Sequence, residues 1–543
     1  MTDLVGAARA WIAEDPDPDT RAELTAVVAA TEAGEAAALA ELEDRFSGPL
    51  EFGTAGLRGA MGAGPNRMNR VVVIRAAAGL AAYLSARGGG KVLVGYDARH
   101  NSHTFATDTA AVLAGAGLEP LVLSRSLPTP LLAYGIRQLG CVAGVMVTAS
   151  HNPPQDNGYK VYLGDGSQIV PPADSDISAE IAAVGPLASV PLGSEWETID
   201  DSLVASYLDR IASTVSAGGP RELRMAYTPL HGVGWTLVRE AVARAGFALP
   251  EVVAEQVAPD PAFPTVTFPN PEEPGAMDLA LALGARIEAD LVVANDPDAD
   301  RCAVAVPVGD GFRMLTGDEL GALLASHLLA SGAAGTFATT IVSSTLLGKI
   351  AAKHGQPYVE TLTGFKWIGR VPGLAFGYEE ALGYCVDPTA VADKDGVSTL
   401  VRVAELAASL RASGRTLLDL LDDLARECGV HATSQLSVRV TDLASIGQTL
   451  ERLRSSPPSS LGGRTVERID DLAAPTGPLP PTPGLRFTLE GEARVVVRPS
   501  GTEPKLKCYL EVVEPAADDL TAARAAAAEG IAAIRADLEK LVG

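Results

Sequence analysis

The chain has 543 residues, with 43 Lys and Arg against 67 Asp and Glu, for a formal net charge of −24. So acidic a surface repels the phosphates of nucleic acid and of anionic membranes, and neither is expected as a partner. A content of 47% hydrophobic and 20% charged residues excludes a disordered chain, and the length suggests about three to five domains.

Five scattered cysteines without a C-x-x-C pair argue against a disulfide framework or a zinc site and fit a reducing compartment. Asp3, Arg9 and Glu14 interrupt any apolar leader, so a soluble cytoplasmic protein is expected. The residues through Phe46 read as mainly helical, and FGTAGLRGAMGAGPNRMNR (Phe52–Arg70) follows as a glycine-rich segment. Then strand and helix patterns alternate. KVLVGYD, LEPLVLS and CVAGVMVT read as strands, with SHTFATDTAAVLAGAG and TPLLAYGIRQLG as helices between them. That spacing predicts parallel βαβ units. The alternation resumes over Arg224–Asp296 and again from Thr316 to about Cys428. Leu320–Gly348 carries no Asp, Glu, Lys or Arg, but His327 and its Gly, Ser and Thr residues argue for helix, break and strand rather than a membrane span. The last stretch holds Pro/Gly/Ser-rich runs, adjacent strands GLRFTLEG and EARVVVRPS, a strand KCYLEVVE and an Ala-rich helix. The predicted fold class is α/β: three similar mixed α/β domains plus a C-terminal α+β domain. The predicted boundaries are 1–205, 206–312, 313–428 and 429–543.

TASHNPPQDNGYK (Thr148–Lys160) directly follows a buried strand. Ligands of open parallel sheets sit beyond strand carboxyl ends, and Pro153 and Pro154 stop both helix and strand there. The segment reads as a stiff loop presenting the Ser150 hydroxyl, with Lys160 returning nearby; a plain surface turn is the alternative. A serine hydrolase is disfavoured. G-x-S-x-G is missing, and His151, adjacent in an extended segment, should point away from Ser150. His151 is expected to stabilise the loop or donate from behind it.

LVVANDPDADR sets Asp296, Asp298 and Asp300 at alternate positions after an apolar strand. Three hard oxygen ligands suit a divalent cation, with a solvated acidic turn as the alternative. The sixth and twelfth positions, Arg301 and Pro307, exclude an EF-hand, and Mg²⁺ with a phosphate oxygen fits better. GYEEALGY (Gly377–Tyr384) pairs Glu379 with Glu380, carboxylates able to accept from sugar hydroxyls; two surface glutamates are the alternative. TGFKWIG offers Lys366 and DKDG offers Lys394. In RPSGTEPKLK, Arg498 can fork a phosphate, and Ser500, Gly501 and Thr502 add hydroxyls and a close-approaching backbone; a hairpin turn is the alternative.

Jointly, FGTAGLRG, TASHNPPQDNGYK, DPDADR, GYEEALGY and RPSGTEPK resemble the ordered motifs of the α-D-phosphohexomutase superfamily, from Phe52 to about Lys507. The resemblance implies four domains around a central cleft. Ser150 corresponds to the phosphoserine and, with Asp296, Asp298 and Asp300, to the Mg²⁺ site. Arg301 would lie near the phosphate, Glu379 on the sugar, and Arg498, Ser500, Gly501 and Thr502 on the substrate phosphate. His151, Lys366 and Lys394 are further cleft candidates, while Arg58 and Lys160 resemble residues of proton transfer and charge stabilisation. The implied reaction moves a phosphoryl group between the 1- and 6-positions of glucose or mannose phosphate. It runs through phosphoserine and a hexose 1,6-bisphosphate, which also serves as activator. Lys160 would act as base if cations, Arg58 above all, lower its pKa. Alternatives are a phosphopentomutase, a bisphosphate synthase or phosphatase using the same serine, and a non-catalytic sugar-phosphate binder. Ala381 departs from the serine of several family members in the sugar loop and loses one hydroxyl. A monomer or homodimer is expected.

Overall fold

The computed structural model describes residues 2–53, 56–440, 444–475, 477, 479–500, 505–516 and 519–542. The chain packs as two compact units, residues 1–315 with 383–408 and residues 316–382 with 409–543.

The first unit begins with helices Thr2–Glu14, Pro18–Glu32 and Ala36–Arg45. Val5, Leu24, Val28 and Leu42 gather around Ala63 of the glycine-rich segment. Arg45 ties helices to segment, donating to Glu23, Glu41 and, at 2.9 Å, the Ala63 carbonyl.

Six strands form the first sheet: β1 (Gly56–Ala60), β2 (Lys91–Tyr96), β3 (Glu119–Leu123), β4 (Ala143–Val147), β5 (Asp156–Leu163) and β6 (Glu197–Ile199). Their order is β1-β5-β4-β2-β3-β6. Strands β4, β2, β3 and β6 are parallel, whereas β5 runs against β4 and β1 against β5. The apolar runs of β2 and β4 are buried because helices Ser102–Gly115 and Thr129–Gln138 pack on them. Each fully buried Val or Leu there contributes about 1.5–3 kcal/mol.

The second sheet comprises β7 (Met225–Thr228), β8 (Glu251–Val252), β9 (Leu291–Ala294), β10 (Ala303–Val308) and β11 (Gly311–Met314), in the order β11-β10-β9-β7-β8. Strands β7, β8 and β9 are parallel, and β10 returns antiparallel to β9. The two sheets repeat one topological corner. A parallel strand, β4 or β9, ends, and the chain turns back as an antiparallel neighbour, β5 or β10. Residues 148–155 and 295–302 occupy these two corners.

In the second unit a capping box of Thr316 and Glu319 starts helix Gly317–Ala330. Parallel strands β12 (Thr336–Thr340), β13 (Tyr358–Thr361) and β14 (Leu374–Glu379) follow, in the order β13-β12-β14. The charge-poor stretch from Leu320 thus folds as helix, break and strand. Among the described residues no helix is long and apolar enough to cross a membrane. The terminal sheet is antiparallel throughout, in the order Val430–Arg439, Lys505–Glu514, Arg494–Pro499, Leu485–Leu489, Arg464–Asp471, Ser460–Leu461. Helices Ala444–Ser455 and Leu520–Val542 cover a core that includes Leu453, Phe487, Val495, Leu510, Ile534 and Leu538. The chain therefore carries three mixed α/β domains and a terminal α+β domain.

A buried ion cluster joins β13 and the loop after β12 to the terminal sheet. Arg494 donates to Glu511 at 2.8 Å, to Glu360 at 3.0 Å and to the Ser343 carbonyl. Burial would raise the Glu511 carboxyl, but Arg494, His431 and Ser344 together outweigh it and pull it down to about 2.

Candidate active site

Ser150 lies just past the carboxyl end of β4, with φ +51°. Its N–H donates to Thr148 Oγ1 at 2.9 Å, and its hydroxyl donates to Asp296 Oδ2 at 2.7 Å. The left-handed backbone changes the relation to His151. Adjacent residues in extended chain point apart, but here His151 Nδ1 is 3.2 Å from Ser150 Oγ. The expectation that the two side chains point away from each other is corrected accordingly. Burial first, then the charges of Arg301 and Arg58, hold the His151 pKa well below its usual value, so the ring is neutral.

The corner after β9 presents the three aspartates inward, all essentially buried. The Arg301 N–H donates to Asp296 Oδ1 at 3.0 Å and the Ala299 N–H to the Asp296 carbonyl at 2.8 Å, which curls the loop. One carboxylate oxygen from each of Asp296, Asp298 and Asp300 lies within 4.8 Å of the others. Asp298 Oδ1 and Asp300 Oδ1 are buried and accept no hydrogen bond. A buried acceptor left so is costly unless a cation faces it, so the donor set fits a hard divalent ion.

Cations surround the triplet. Lys160, on β5, donates to Asp298 Oδ2 at 2.8 Å and to Asp300 Oδ2 at 3.1 Å. Lys394 Nζ stands 3.0 Å from Asp300 Oδ2, and Arg301 Nε stands 3.9 Å from Asp296 and 3.8 Å from Asp300. Burial and the neighbouring carboxylates push Asp296 well above the usual carboxylate range. For Asp298 burial works the same way, but Lys160 and Thr129 outweigh it and its pKa falls. Lys160 departs from expectation. Burial disfavours its charge, but Asp298 and Asp300 more than offset this and its pKa is raised. The carboxylates outweigh the cations that were to depress it, so the shift runs upward rather than downward.

Two glycines fit the corners together. A Cβ on Gly158 would meet the Thr148 carbonyl at 2.5 Å, and one on Gly396 the Arg301 carbonyl at 2.2 Å. The first lets β5 close on the serine loop, and the second lets the KDG turn seat Lys394 beside Asp300. Arg58 is on β1 opposite Gly158. The first unit thus gathers Arg58, Ser150, His151, Lys160, the three aspartates, Arg301 and Lys394.

The remaining candidates belong to the second unit. Glu379 ends β14. Next to it, Glu380 Oε2 accepts from Ser343 Oγ at 2.7 Å and Thr340 Oγ1 at 3.2 Å. Arg498 is on the terminal sheet, and Ser500 follows with its N–H donating to the Lys505 carbonyl at 2.8 Å. Tyr509 connects the two loops. Burial raises its pKa, the charges of Glu380 and Glu379 add to this, and Arg498 opposes it. Lys366 is buried in helix Phe365–Ile368, its Nζ 5.7 Å from the centre of the Trp367 ring. Gly501 and Thr502 lie outside the described residues.

Sequence reasoning missed Thr129 and Arg99. Thr129 Oγ1 donates to Asp298 Oδ2 at 2.6 Å, and its N–H to the Asp298 carbonyl at 3.0 Å. Arg99 underpins the serine loop. A Thr-Pro helix start and a D-x-R at a strand end were the available signals.

The sequence matches four family models described as phosphoglucomutase/phosphomannomutase: alpha/beta/alpha domain I over residues 49–186, domain II over 205–309, domain III over 316–428 and the C-terminal domain over 437–528. It is 46% identical over 456 residues to a Haemophilus influenzae protein named probable phosphomannomutase, covering 82% of this chain and 93% of that one. It is 35% identical over 538 residues to the phosphopentomutase of Homo sapiens, covering 88% and 87%. In fold it is similar to a phosphoglucomutase/phosphomannomutase family protein from Burkholderia thailandensis. The TM-score is 0.70 at 20% identity, over 90% of this chain and 97% of that one.

Proposed function

Because the chain belongs to the phosphoglucomutase/phosphomannomutase family, whose phosphomutases are intramolecular phosphotransferases, we propose that it interconverts the 1- and 6-phosphates of glucose or mannose through a phosphorylated Ser150. The observation that carries this reading is the 2.7 Å approach of the Ser150 hydroxyl to Asp296 within a buried aspartate triplet.

Phosphorylated Ser150 gives its phosphoryl group to a free hydroxyl of the sugar phosphate: the Ser150 Oγ–P bond breaks, the sugar O–P bond forms, and the hydroxyl proton passes in net to Ser150 Oγ, leaving a hexose 1,6-bisphosphate. The other phosphate then returns to Ser150, and added bisphosphate reloads a serine that has lost its phosphate. On return the Ser150 proton has acceptors at Asp296 Oδ2 and His151 Nδ1, 2.7 and 3.2 Å away. Lys160, between Asp298 and Asp300, adds positive charge beside the serine. Arg301 and Arg58 add positive charge around the serine loop. Mg²⁺ bound by Asp296, Asp298 and Asp300 would supply charge against the non-bridging phosphoryl oxygens. Glu379 reads sugar hydroxyls, with Glu380 held in place by Ser343. Arg498 and Ser500, with Gly501 and Thr502 of the same motif, take the distal phosphate; Lys366 and Lys394 complete the basic set.

The relative named phosphopentomutase favours a second reading, a pentose phosphate, and Ala381 leaves the sugar loop one hydroxyl short for fixing either sugar. One panel decides. Glucose 1-phosphate, mannose 1-phosphate and ribose 1-phosphate are compared by kcat/KM with Mg²⁺ and catalytic sugar bisphosphate. A hexose is expected to lead; a leading pentose replaces the first reading by the second, and no turnover of any of them overturns both.

Arg498→Ala is expected to act on binding. Losing a charge-assisted clamp worth about 1.5–3 kcal/mol raises KM for the monophosphate about tenfold to 100-fold. An unchanged KM removes that loop from the substrate site.

A further inference from the structure

We propose that Arg99 is the positioning residue that aims Ser150 at the aspartate triplet. Its guanidinium, with a side-chain exposure of 1%, meets four carbonyls of residues 150–156. Nη1 donates to Pro153 O at 2.9 Å and Asp156 O at 3.1 Å; Nη2 donates to Ser150 O at 2.6 Å and to Asn152 O. Only a planar fork with several fixed donors can gather so many acceptors.

The cation is built in. Asp97 Oδ2 stands 3.5 Å from Arg99 Nε, and Asp97 Oδ1 accepts from the Arg99 N–H at 2.9 Å and Ser102 Oγ at 2.6 Å. The Phe263 ring, from the domain that carries the aspartates, lies 4.9 Å from the guanidinium carbon. Pro153 and Pro154 already stiffen the loop, so a merely stable turn needs no buried ion pair beneath it. What does need one is Ser150 itself. Its φ of +51° is disfavoured for a residue with a Cβ, yet it is the conformation in which Oγ meets Asp296. Arg99 bonds to the carbonyl of that same residue. It reaches neither the reacting oxygen nor Asp296 by any hydrogen bond, so its effect falls on the aim of the hydroxyl and not on sugar affinity.

The proposal rests on the reading of Ser150 as phosphoryl carrier, and one experiment separates the two. The Mg²⁺-loaded full chain is labelled with [³²P]hexose 1,6-bisphosphate and challenged with hexose monophosphate. The label then either passes to the sugar or is released by water as inorganic phosphate. The ratio of transfer to release does not depend on the fraction of folded enzyme, so a merely structural role leaves it unmoved. Transfer needs exact aim, and a misplacement near 1 Å can cost about 100-fold; attack by mobile water is less demanding. Arg99→Lys, able to reach only some of the carbonyls, should lower the ratio about tenfold or more. KM for the monophosphate should stay within about twofold. Asp97→Asn keeps the guanidinium but removes its counter-charge, and should shift the ratio in the same direction; it decides if the lysine variant does not fold. A wild-type ratio in a folded variant overturns the role of Arg99 alone. A wild-type chain that takes up no label overturns the phosphoserine reading and this proposal with it.

Discussion

Ser150→Ala is expected to lose isomerase activity by a factor on the order of 10⁴ or more while the protein stays folded. The loss is large because every turnover under the proposed mechanism begins and ends with phosphate on that oxygen. Charge stabilisation by the surrounding cations has nothing to act on once the acceptor is gone. The structural cost is small by comparison. Alanine removes one donor to Asp296 Oδ2, while Asp296 Oδ1 keeps its bond from the Arg301 N–H at 3.0 Å. A lost hydrogen bond to a buried acceptor costs about 1–3 kcal/mol, a few degrees in thermal unfolding. Two measurements check it: a coupled isomerase assay with sugar bisphosphate present, and transfer of labelled phosphate to the protein. Full activity in the alanine variant would end the phosphoserine idea. Labelling that persists without Ser150 would move the carrier elsewhere.

The parts of this site that a sequence can disclose are the local ones. Strand β4 is legible because five consecutive residues are apolar and fully buried, which only an inner parallel strand tolerates. Alternate aspartates after β9 are legible because an apolar strand feeding three acids has little other use. The strand Val430–Arg439 was not, because its side chains are mostly polar and only Val430 and Leu436 are buried. The chemistry that depends on distant partners was also hidden. Lys160 meets carboxylates 138 and 140 positions away, so its protonation could not be argued from nearby cations alone. Adjacent side chains point apart only in extended backbone, and Ser150 is not extended, so the side of His151 could not be read from its position in the chain. The left-handed turn comes from Thr148 Oγ1 ahead of the loop and from Arg99, which lies 51 positions from Ser150.

Asp298→Asn should cut the apparent Mg²⁺ affinity by at least about 100-fold, because it removes one of three anionic ligands rather than a residue that merely orients one. Asp298 is the informative member. Its Oδ1 is buried without a hydrogen-bond donor, while Oδ2 is shared by Lys160 and Thr129. Three carboxylates stand against three cations, Lys160, Lys394 and Arg301, so the substitution leaves an excess positive charge that further repels a metal ion. Asparagine keeps the shape and can still accept from Thr129, which limits loss of packing. Thermal unfolding with and without Mg²⁺ separates metal binding from activity. A ligand at 100 times its dissociation constant stabilises the folded state by about 2.7 kcal/mol. The wild-type chain should therefore show a clear upward shift with Mg²⁺, and the asparagine variant little or none at the same concentration. Equal shifts in both would mean that the aspartate triplet is not where the metal binds. The role of the loop would then shrink to anchoring Lys160 and Lys394 beside the serine.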